Sequence, residues 1–334
     1  MKLKSLWGLT ISLLSVLLIS CDGNKQPEKI VWDMPTPYAD SVFHTQNIVQ
    51  FVEEIKRLTN NKLIIRIHSG ASLYKLPEIK RAVRSGQVAI GEVVISTLGN
   101  ENPLYQIDVL PLLATSYDYA RVLWDVSRSE IEHLLSEQGL KLLYAVPWPP
   151  QGFYTQKEIN SMQDMQGLKI RAYNAMLSRL VELMGGTPTT VQTPEIPQAF
   201  STGIIDSMMT SPSTGVSSQA WDYVKYYYDF QAWIPKNMVF VNQKLFDDLP
   251  EDVQQAVLQA AKAAEKRGWE MSAKETSEKT ATLKEKGILV LPPTNDLTDG
   301  LVEIRKMIEK EWLKEAGDKG KQMLDAYYQK VESL

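Results

Sequence analysis

The chain is poor in the residue types that carry most enzyme chemistry. It has one cysteine, Cys21, so no disulfide can form within it, and its three histidines, His44, His68 and His133, do not approach metal-ligand spacing. No HExxH, GxSxG, CxxC or glycine-rich phosphate loop occurs. The sequence gives no positive sign of an enzyme, and we predict neither catalytic residues nor a metal nor a cofactor.

A strong excess of charge of either sign is also lacking. Lysine and arginine number 36 against 40 aspartates and glutamates, which gives a net charge of −4 over 334 residues. A mildly acidic chain of this kind does not predict a nucleic-acid binder. Any attraction for an anion must therefore come from a few local groups.

One apolar run, at residues 6–19, follows Lys2 and Lys4 and is shorter than the ~20 residues that span a bilayer. It predicts a secretion signal over 1–20. Leu-Ile-Ser-Cys at 18–21 resembles a lipoprotein processing box that would place lipid on Cys21, with a polar tether at 21–28. Because Asp22 resembles the inner-membrane retention signal of Gram-negative lipoproteins, we expect a periplasmic protein with a lipid anchor in the membrane, on the outer face of the inner membrane.

The stretch from 167 to 206 alternates strand and helix signals. Residues 169–173 form an apolar strand, and Asn174 can cap a helix that Gly185 and Gly186 end. Thr193 with Pro194 starts a second helix, and residues 204–209 form another strand. This order predicts three parallel strands joined by two crossover helices.

The same alternation precedes this stretch, with strands at 30–34, 63–68 and 88–95 and helices near 48–58 and 77–85. It predicts two α/β lobes, at 29–148 plus 237–277 and at 149–236 plus 278–334, with crossing strands at 140–148 and 238–241. Residues 250–286 predict one helix of about 54 Å, long enough to brace both lobes. A coiled coil is the alternative, but its heptads are not sustained. Residues 297–334 predict charged amphipathic helices that pack on the outside, broken near Gly317 and Gly320.

Ligands collect where parallel strands end and helices begin. In the first lobe this rule selects Tyr38, Ser69 and Tyr74; an ordinary role in a turn is the alternative for each. In the second lobe it selects Tyr173 and Ser211, with the same alternative.

The first crossing carries Trp148 and Gln151 among Pro147, Pro149 and Pro150. These prolines stiffen the backbone and discourage helix, so the crossing can present aromatic side chains at the cleft. Burial of Trp148 in the core is the alternative.

Arg171 lies within the strand at 169–173. A guanidinium offers a planar fork of donors that matches a carboxylate at two points. Arg171 is therefore a candidate anchor for a small organic acid, and an ion-paired or solvated surface arginine is the alternative.

Four motifs in order carry a resemblance to a known family: GLKIR at 167–171, GTP at 186–188, Glu195, and GIID at 203–206. Together they resemble the signature of the solute-binding proteins of TRAP (tripartite ATP-independent periplasmic) transporters. The resemblance implies a two-lobe fold like that of periplasmic binding proteins, and Arg171 as the salt-bridge partner of a ligand carboxylate. It also implies delivery of the ligand to the small and large TRAP membrane subunits.

Two positions depart from the sialic-acid-binding members of that family. Gln151 stands where those members carry a second arginine, and Ser211 stands where they carry an asparagine. We therefore expect a monocarboxylate with a hydroxyl, keto or apolar tail. Two alternatives stay open: a binding protein of an ABC importer or sensor kinase, and a secreted enzyme acting on sugar acids.

Overall fold

The computed structural model describes residues 29–333; the predicted signal peptide, Cys21, the tether and Leu334 lie outside the described residues. The strands are β1 (Ile30–Pro35), β2 (Leu63–His68), β3 (Ile90–Val94), β4 (Leu140–Pro147), β5 (Gly152–Thr155), β6 (Lys169–Ala172), β7 (Thr187–Thr190), β8 (Ser207–Thr210), β9 (Tyr226–Tyr228), β10 (Lys236–Asn242) and β11 (Leu289–Leu291). The α-helices are α1 (Phe43–Leu58), α2 (Leu76–Arg84), α3 (Tyr117–Ser136), α4 (Ala175–Leu183), α5 (Ile196–Ser201), α6 (Pro212–Ser217), α7 (Gln243–Asp247), α8 (Glu251–Glu285) and α9 (Asn295–Val331).

The strands form separate sheets that agree with a two-lobe arrangement. In the first of three sheets β1 pairs with β2 in parallel, and in the second β10 lies between β3 and β4, antiparallel to both. The third sheet has six strands in the order β11-β9-β5-β8-β6-β7. The predicted α/β class is confirmed.

The central unit has the predicted topology. β6 pairs in parallel with β7 on one side and β8 on the other, and α4 and α5 make the crossovers. Asn174 caps α4 by accepting a hydrogen bond from the Leu177 N–H at 2.7 Å. The third strand begins at Ser207 and not at the predicted residue 204, because the N–H groups of Ile204 and Ile205 still bond to the Ala199 carbonyl at the end of α5.

Two crossing segments join the sheets side by side. Trp148 N–H donates to the Pro235 carbonyl at 2.8 Å, and Gln151 N–H donates to the Trp233 carbonyl at 3.0 Å. Lys236, at the start of β10, is buried and donates its N–H to the Asp108 carboxylate at 2.8 Å, with its ammonium 3.7 Å away. The crossings are thus tied to each other and to the segment before α3.

Helix α8 confirms the predicted long helix. Its 35 residues correspond to roughly 52 Å, and it packs against α1 and β4 at one end and α6 and β11 at the other. The close approach requires a glycine, because a Cβ on Gly268 would lie 2.3 Å from a Val146 methyl group and 2.8 Å from the Asn47 amide. The helix therefore contacts the three-stranded sheet through β4 and the six-stranded sheet through β11.

Helix α9 is broken at Gly317, as expected. It packs with one apolar face, on which Trp312 and Tyr327 are buried in a hydrophobic core. Their polar atoms donate to the carbonyls of Pro103 at 2.7 Å and Leu113 at 2.6 Å. The apolar residues between charged positions were sufficient to bury one face. Between residues 29 and 333, no helix combines the length and apolar character needed to cross a membrane.

Candidate functional site

A cavity lies between the three-stranded and the six-stranded sheets, beside the crossing segments. The space inside it that protein atoms do not fill is about 410 Å³, including its open mouth. Its lining residues are Tyr38, Leu76, Val94, Trp148, Gln151, Arg171, Tyr173, Gln192, Thr193, Thr210, Ser211, Thr214 and Pro235. Six of the eight residues predicted to bind ligand are therefore brought together, although they come from distant parts of the chain.

Arg171 is the only charged side chain among those lining residues. It lies on β6 between β7 and β8 and is 2 % exposed, which excludes a solvated surface arginine. Its Nε donates to the Val191 carbonyl at 2.9 Å and its Nη2 to the Thr193 hydroxyl at 3.4 Å, and the Tyr173 ring lies 5.4 Å away. No carboxylate of residues 29–333 forms an ion pair with it. Burial lowers the pKa of Arg171 to about 10, so it stays charged at neutral pH.

The opposite wall is aromatic. Tyr38 and Trp148 are both buried, and their ring centroids lie 5.0 Å apart in an edge arrangement. The Trp148 indole N–H donates to Asn237 Oδ1 at 2.8 Å, and the Tyr38 hydroxyl donates to the same oxygen at 3.3 Å. Trp148 is thus both a buried core residue and a cavity wall, so the two readings of its sequence are compatible.

The remaining predicted residues in the cavity, Gln151, Ser211 and Tyr173, also form hydrogen bonds within the protein. Gln151 donates through Nε2 to the Pro149 carbonyl at 2.8 Å, and Ser211 caps α6 by accepting from the Thr214 N–H at 3.2 Å. The Tyr173 hydroxyl accepts from the Trp233 indole at 3.1 Å. These bonds fix the side chains, and the side-chain amide oxygen of Gln151, Oε1, has no protein donor among residues 29–333.

Ser69 and Tyr74 are not among the residues that line this cavity. The Tyr74 hydroxyl instead donates to the Gln87 side chain at 3.1 Å near the surface, and the Ser69 carbonyl closes a turn with Ser72. The rule that selected them specifies the end of a strand, and it does not determine which residues of a seven-residue loop turn inward.

Sequence reasoning missed a buried carboxylate behind the aromatic wall. Glu92 on β3 is 2 % exposed; it accepts from the Thr36 hydroxyl at 2.5 Å and from Asn237 Nδ2 at 2.9 Å. His44 Nδ1 lies 3.5 Å away, but burial lowers the pKa of His44 well below its ordinary value and keeps it neutral. The available signal was a glutamate inside an apolar strand, which is rare unless the charge has a partner. Within 29–333, no group of three or more histidine, cysteine, aspartate or glutamate side chains could hold a metal ion.

Comparison with known proteins identifies the family. The profile described as "Bacterial extracellular solute-binding protein, family 7" matches residues 37–315. The chain belongs to this family. A C4-dicarboxylate-binding periplasmic protein of Rhodobacter capsulatus is 25 % identical over 213 residues, 61 % of this chain and 62 % of that protein.

Solved structures extend the match to nearly the whole fold of this family 7 protein. DctP7, a Bordetella pertussis extracytoplasmic solute receptor binding pyroglutamic acid, is 48 % identical, with a TM-score of 0.88 over 89 % of this chain and 99 % of that one. A TRAP solute-binding protein from a marine metagenome, specific for pyroglutamate, is 35 % identical, with a TM-score of 0.89 over 90 % and 99 %. The predictions of a TRAP solute-binding protein, its fold and a receptor rather than an enzyme are confirmed. The family is extracytoplasmic, as predicted.

The buried Glu92 makes stability depend on pH. Burial raises its pKa to about 7 from the ordinary 4.5, although hydrogen bonds from Thr36 and Asn237 oppose the shift. The folded protein therefore keeps a proton that the unfolded chain releases, so the stability contributed by this group is full below pH 4.5 and is lost as the pH rises to about 7. We expect the melting temperature of Glu92→Gln to gain on that of the wild type between about pH 5 and 7, with a constant difference above. Parallel melting profiles over this range would contradict the assignment.

Proposed function

We propose that this TRAP solute-binding protein binds pyroglutamate, or a cyclic monocarboxylate of similar size, and that Arg171 holds the ligand carboxylate. The observation that carries the proposal is the buried Arg171 guanidinium, which has no carboxylate partner among the described residues. A buried charge is costly unless it is paired. A ligand carboxylate would supply the missing charge and accept from the guanidinium at two points.

The rest of the cavity supports a monoanion with an uncharged ring. No second cation and no anion accompanies Arg171 among the lining residues, which disfavours a dianion. Gln151, Thr193 and Thr210 offer neutral polar groups, and Tyr38 and Trp148 offer apolar surface. A lactam ring carries one donor, one acceptor and apolar methylene groups, which matches this set. Binding of pyroglutamate by relatives that are 48 % and 35 % identical also supports this ligand.

We further propose that ligand binding closes two lobes, at 29–148 plus 237–277 and at 149–236 plus 278–334, and that the closed form delivers its ligand to the small and large TRAP membrane subunits. Two contacts across the cleft support closure. Asn174 Nδ2 donates to the Ser96 hydroxyl at 2.9 Å in a buried contact, and Lys75 lies 3.8 Å from Glu195 at the exposed mouth. Helix α9 contacts α3 and α4, so it touches both proposed lobes. Contacts made only in the closed form would couple ligand binding to closure.

The anchor of the protein is also proposed. The lipoprotein-like run ending at Cys21, followed by Asp22, supports a lipid on Cys21 and retention at the inner membrane. We expect the full chain expressed in a Gram-negative cell to carry a lipid-modified N-terminal cysteine by mass spectrometry, and Cys21→Ser to lose the modification. An unmodified mature N-terminus elsewhere would contradict the anchor.

Replacement of Arg171 tests the proposed ligand contact. At 100 times its dissociation constant, pyroglutamate should add about 2.7 kcal/mol to the stability of the wild type, a rise of several degrees in melting temperature. We expect Arg171→Met to abolish this rise, and Arg171→Lys to retain a small part because an ammonium lacks the planar fork. Ligand-free Arg171→Met should melt no lower than the wild type, since it removes a buried unpaired charge.

Arg179→Met is the matched control, because this arginine is 44 % exposed and pairs with Glu311 on the surface. It should keep the full ligand-induced rise. An equal rise in Arg171→Met and the wild type would show that Arg171 does not hold the carboxylate.

Removal of the cross-cleft hydrogen bond tests closure. Ser96→Ala deletes the acceptor of Asn174, and a lost hydrogen bond of about 1 kcal/mol should weaken pyroglutamate binding roughly fivefold by titration calorimetry. Lys75→Ala removes an exposed ion pair and should change affinity less than about twofold. Equal affinities of Ser96→Ala and the wild type would remove this contact from the closure mechanism.

A further inference from the structure

We propose that Glu92, which does not line the cavity, is a positioning residue for its aromatic wall: through Asn237 it fixes the Trp148 indole and the Tyr38 hydroxyl and makes this wall apolar toward the ligand. The inference deepens the proposed function and rests on it for the ligand. It assigns a specificity role to a residue in the layer behind the binding site.

The contacts form a chain from the core of the sheet to the cavity. The Glu92 carboxylate accepts from Asn237 Nδ2 at 2.9 Å, and Asn237 Oδ1 accepts from the Trp148 indole at 2.8 Å and from the Tyr38 hydroxyl at 3.3 Å. All four side chains are buried, with 2 to 5 % exposure. One carboxylate therefore determines how two cavity residues are held.

The chemistry of the groups explains why an acceptor is needed at position 92. An asparagine amide has nearly the same shape when its oxygen and nitrogen exchange places, so packing alone does not fix its orientation. Glu92 Oε1, which faces Asn237, accepts a hydrogen bond whether the carboxyl group is ionised or carries its proton on Oε2 beside Thr36, and the indole N–H only donates. With Glu92 behind it, Asn237 must turn its nitrogen inward and its oxygen toward Trp148. A reversed amide would place two donors, Nδ2 and the indole N–H, against each other.

As a consequence, one wall of the cavity offers apolar contacts and the other offers polar groups. Because the Trp148 N–H and the Tyr38 hydroxyl are used by Asn237, their rings offer the ligand carbon surface and no free donor. Polar recognition then falls to the opposite side, with Arg171, Gln151 and Thr210. This arrangement favours a small acid with one apolar flank over a polyhydroxylated acid, which would leave hydroxyls unpaired against the rings.

A stability role alone does not account for Glu92. No cation within 29–333 pairs with its carboxylate, since the neighbouring His44 is held neutral by burial, and the unpaired buried charge costs stability near neutral pH. An apolar residue of similar size would be expected to serve the core at least as well. We therefore assign Glu92 the role of orienting Asn237, which accepts hydrogen bonds from Trp148 and Tyr38.

The test uses the mature wild type and five variants, titrated with pyroglutamate at constant pH. Glu92→Leu keeps the volume and removes both acceptor oxygens, so we expect binding at least about tenfold weaker. Glu92→Gln keeps an acceptor for Asn237 and should stay within about threefold. Val93→Ala, which truncates a buried side chain on the opposite face of β3, should lower the melting temperature and leave affinity within about twofold.

The Trp148→Phe background distinguishes a positioning role of Glu92 from a role in stability alone. Phenylalanine has no N–H for Asn237 to hold, so in a Trp148→Phe background Glu92→Leu should cost less than about threefold in affinity. The same tenfold loss in both backgrounds would overturn the proposal, as would wild-type affinity in Glu92→Leu.

A second measurement separates this inference from the choice of ligand. The indole N–H resonance of Trp148, assigned by its loss in Trp148→Phe, should shift and exchange faster with solvent in ligand-free Glu92→Leu and not in Val93→Ala. If the wild type does not bind pyroglutamate, the proposed ligand is wrong, and this resonance alone decides the positioning role. An unchanged indole resonance in Glu92→Leu would overturn it.

Discussion

The site depends on one unpaired buried cation. Arg171 lies on β6 between two parallel neighbouring strands, is almost fully excluded from solvent, and has hydrogen bonds to a carbonyl and a hydroxyl but to no carboxylate of residues 29–333. Such a group is stable in a fold only when other interactions offset its desolvation, and its natural complement is an anion that arrives from outside. The position of β6 between two neighbouring strands holds the guanidinium still, so a ligand would not have to order it.

Hydrogen bonds and one long helix connect the two sides of the cavity. The crossing segments hydrogen-bond to each other, and the buried Asp108–Lys236 pair ties them to the segment before α3. Helix α8 runs past both sheets, and the missing side chain at Gly268 lets it lie close to β4. In the proposed closure, the crossing segments and helix α8 would bend. The hydrogen bond between Asn174 and Ser96 would stabilise the closed form.

Buried charge is concentrated around this region and has different uses. Lys236 and Asp108 neutralise each other. Arg171 would be neutralised by the carboxylate of the proposed ligand, and Glu92 orients the side-chain amide of Asn237. The last two cost stability in the ligand-free protein, which is common where a binding site is prepared in advance. In the aromatic wall, the Trp148 N–H and the Tyr38 hydroxyl donate to Asn237 inside the protein. The two rings therefore offer the ligand an apolar surface.

The sequence by itself determined the elements and the family. Periodicity, caps and glycine stops located the strands of the central unit, the long helix and the break at Gly317, because these depend on local backbone preferences and on alternation of apolar residues. The spaced motifs around Arg171 identified the solute-binding proteins of TRAP transporters. Only the tertiary structure decided which residues line the cavity: Thr210 and Pro235 line it, and Ser69 and Tyr74 do not. It also decided the partnership of Glu92 with Asn237, which lie 145 positions apart, because hydrogen bonds between distant segments follow from packing and leave no periodic signal in the chain.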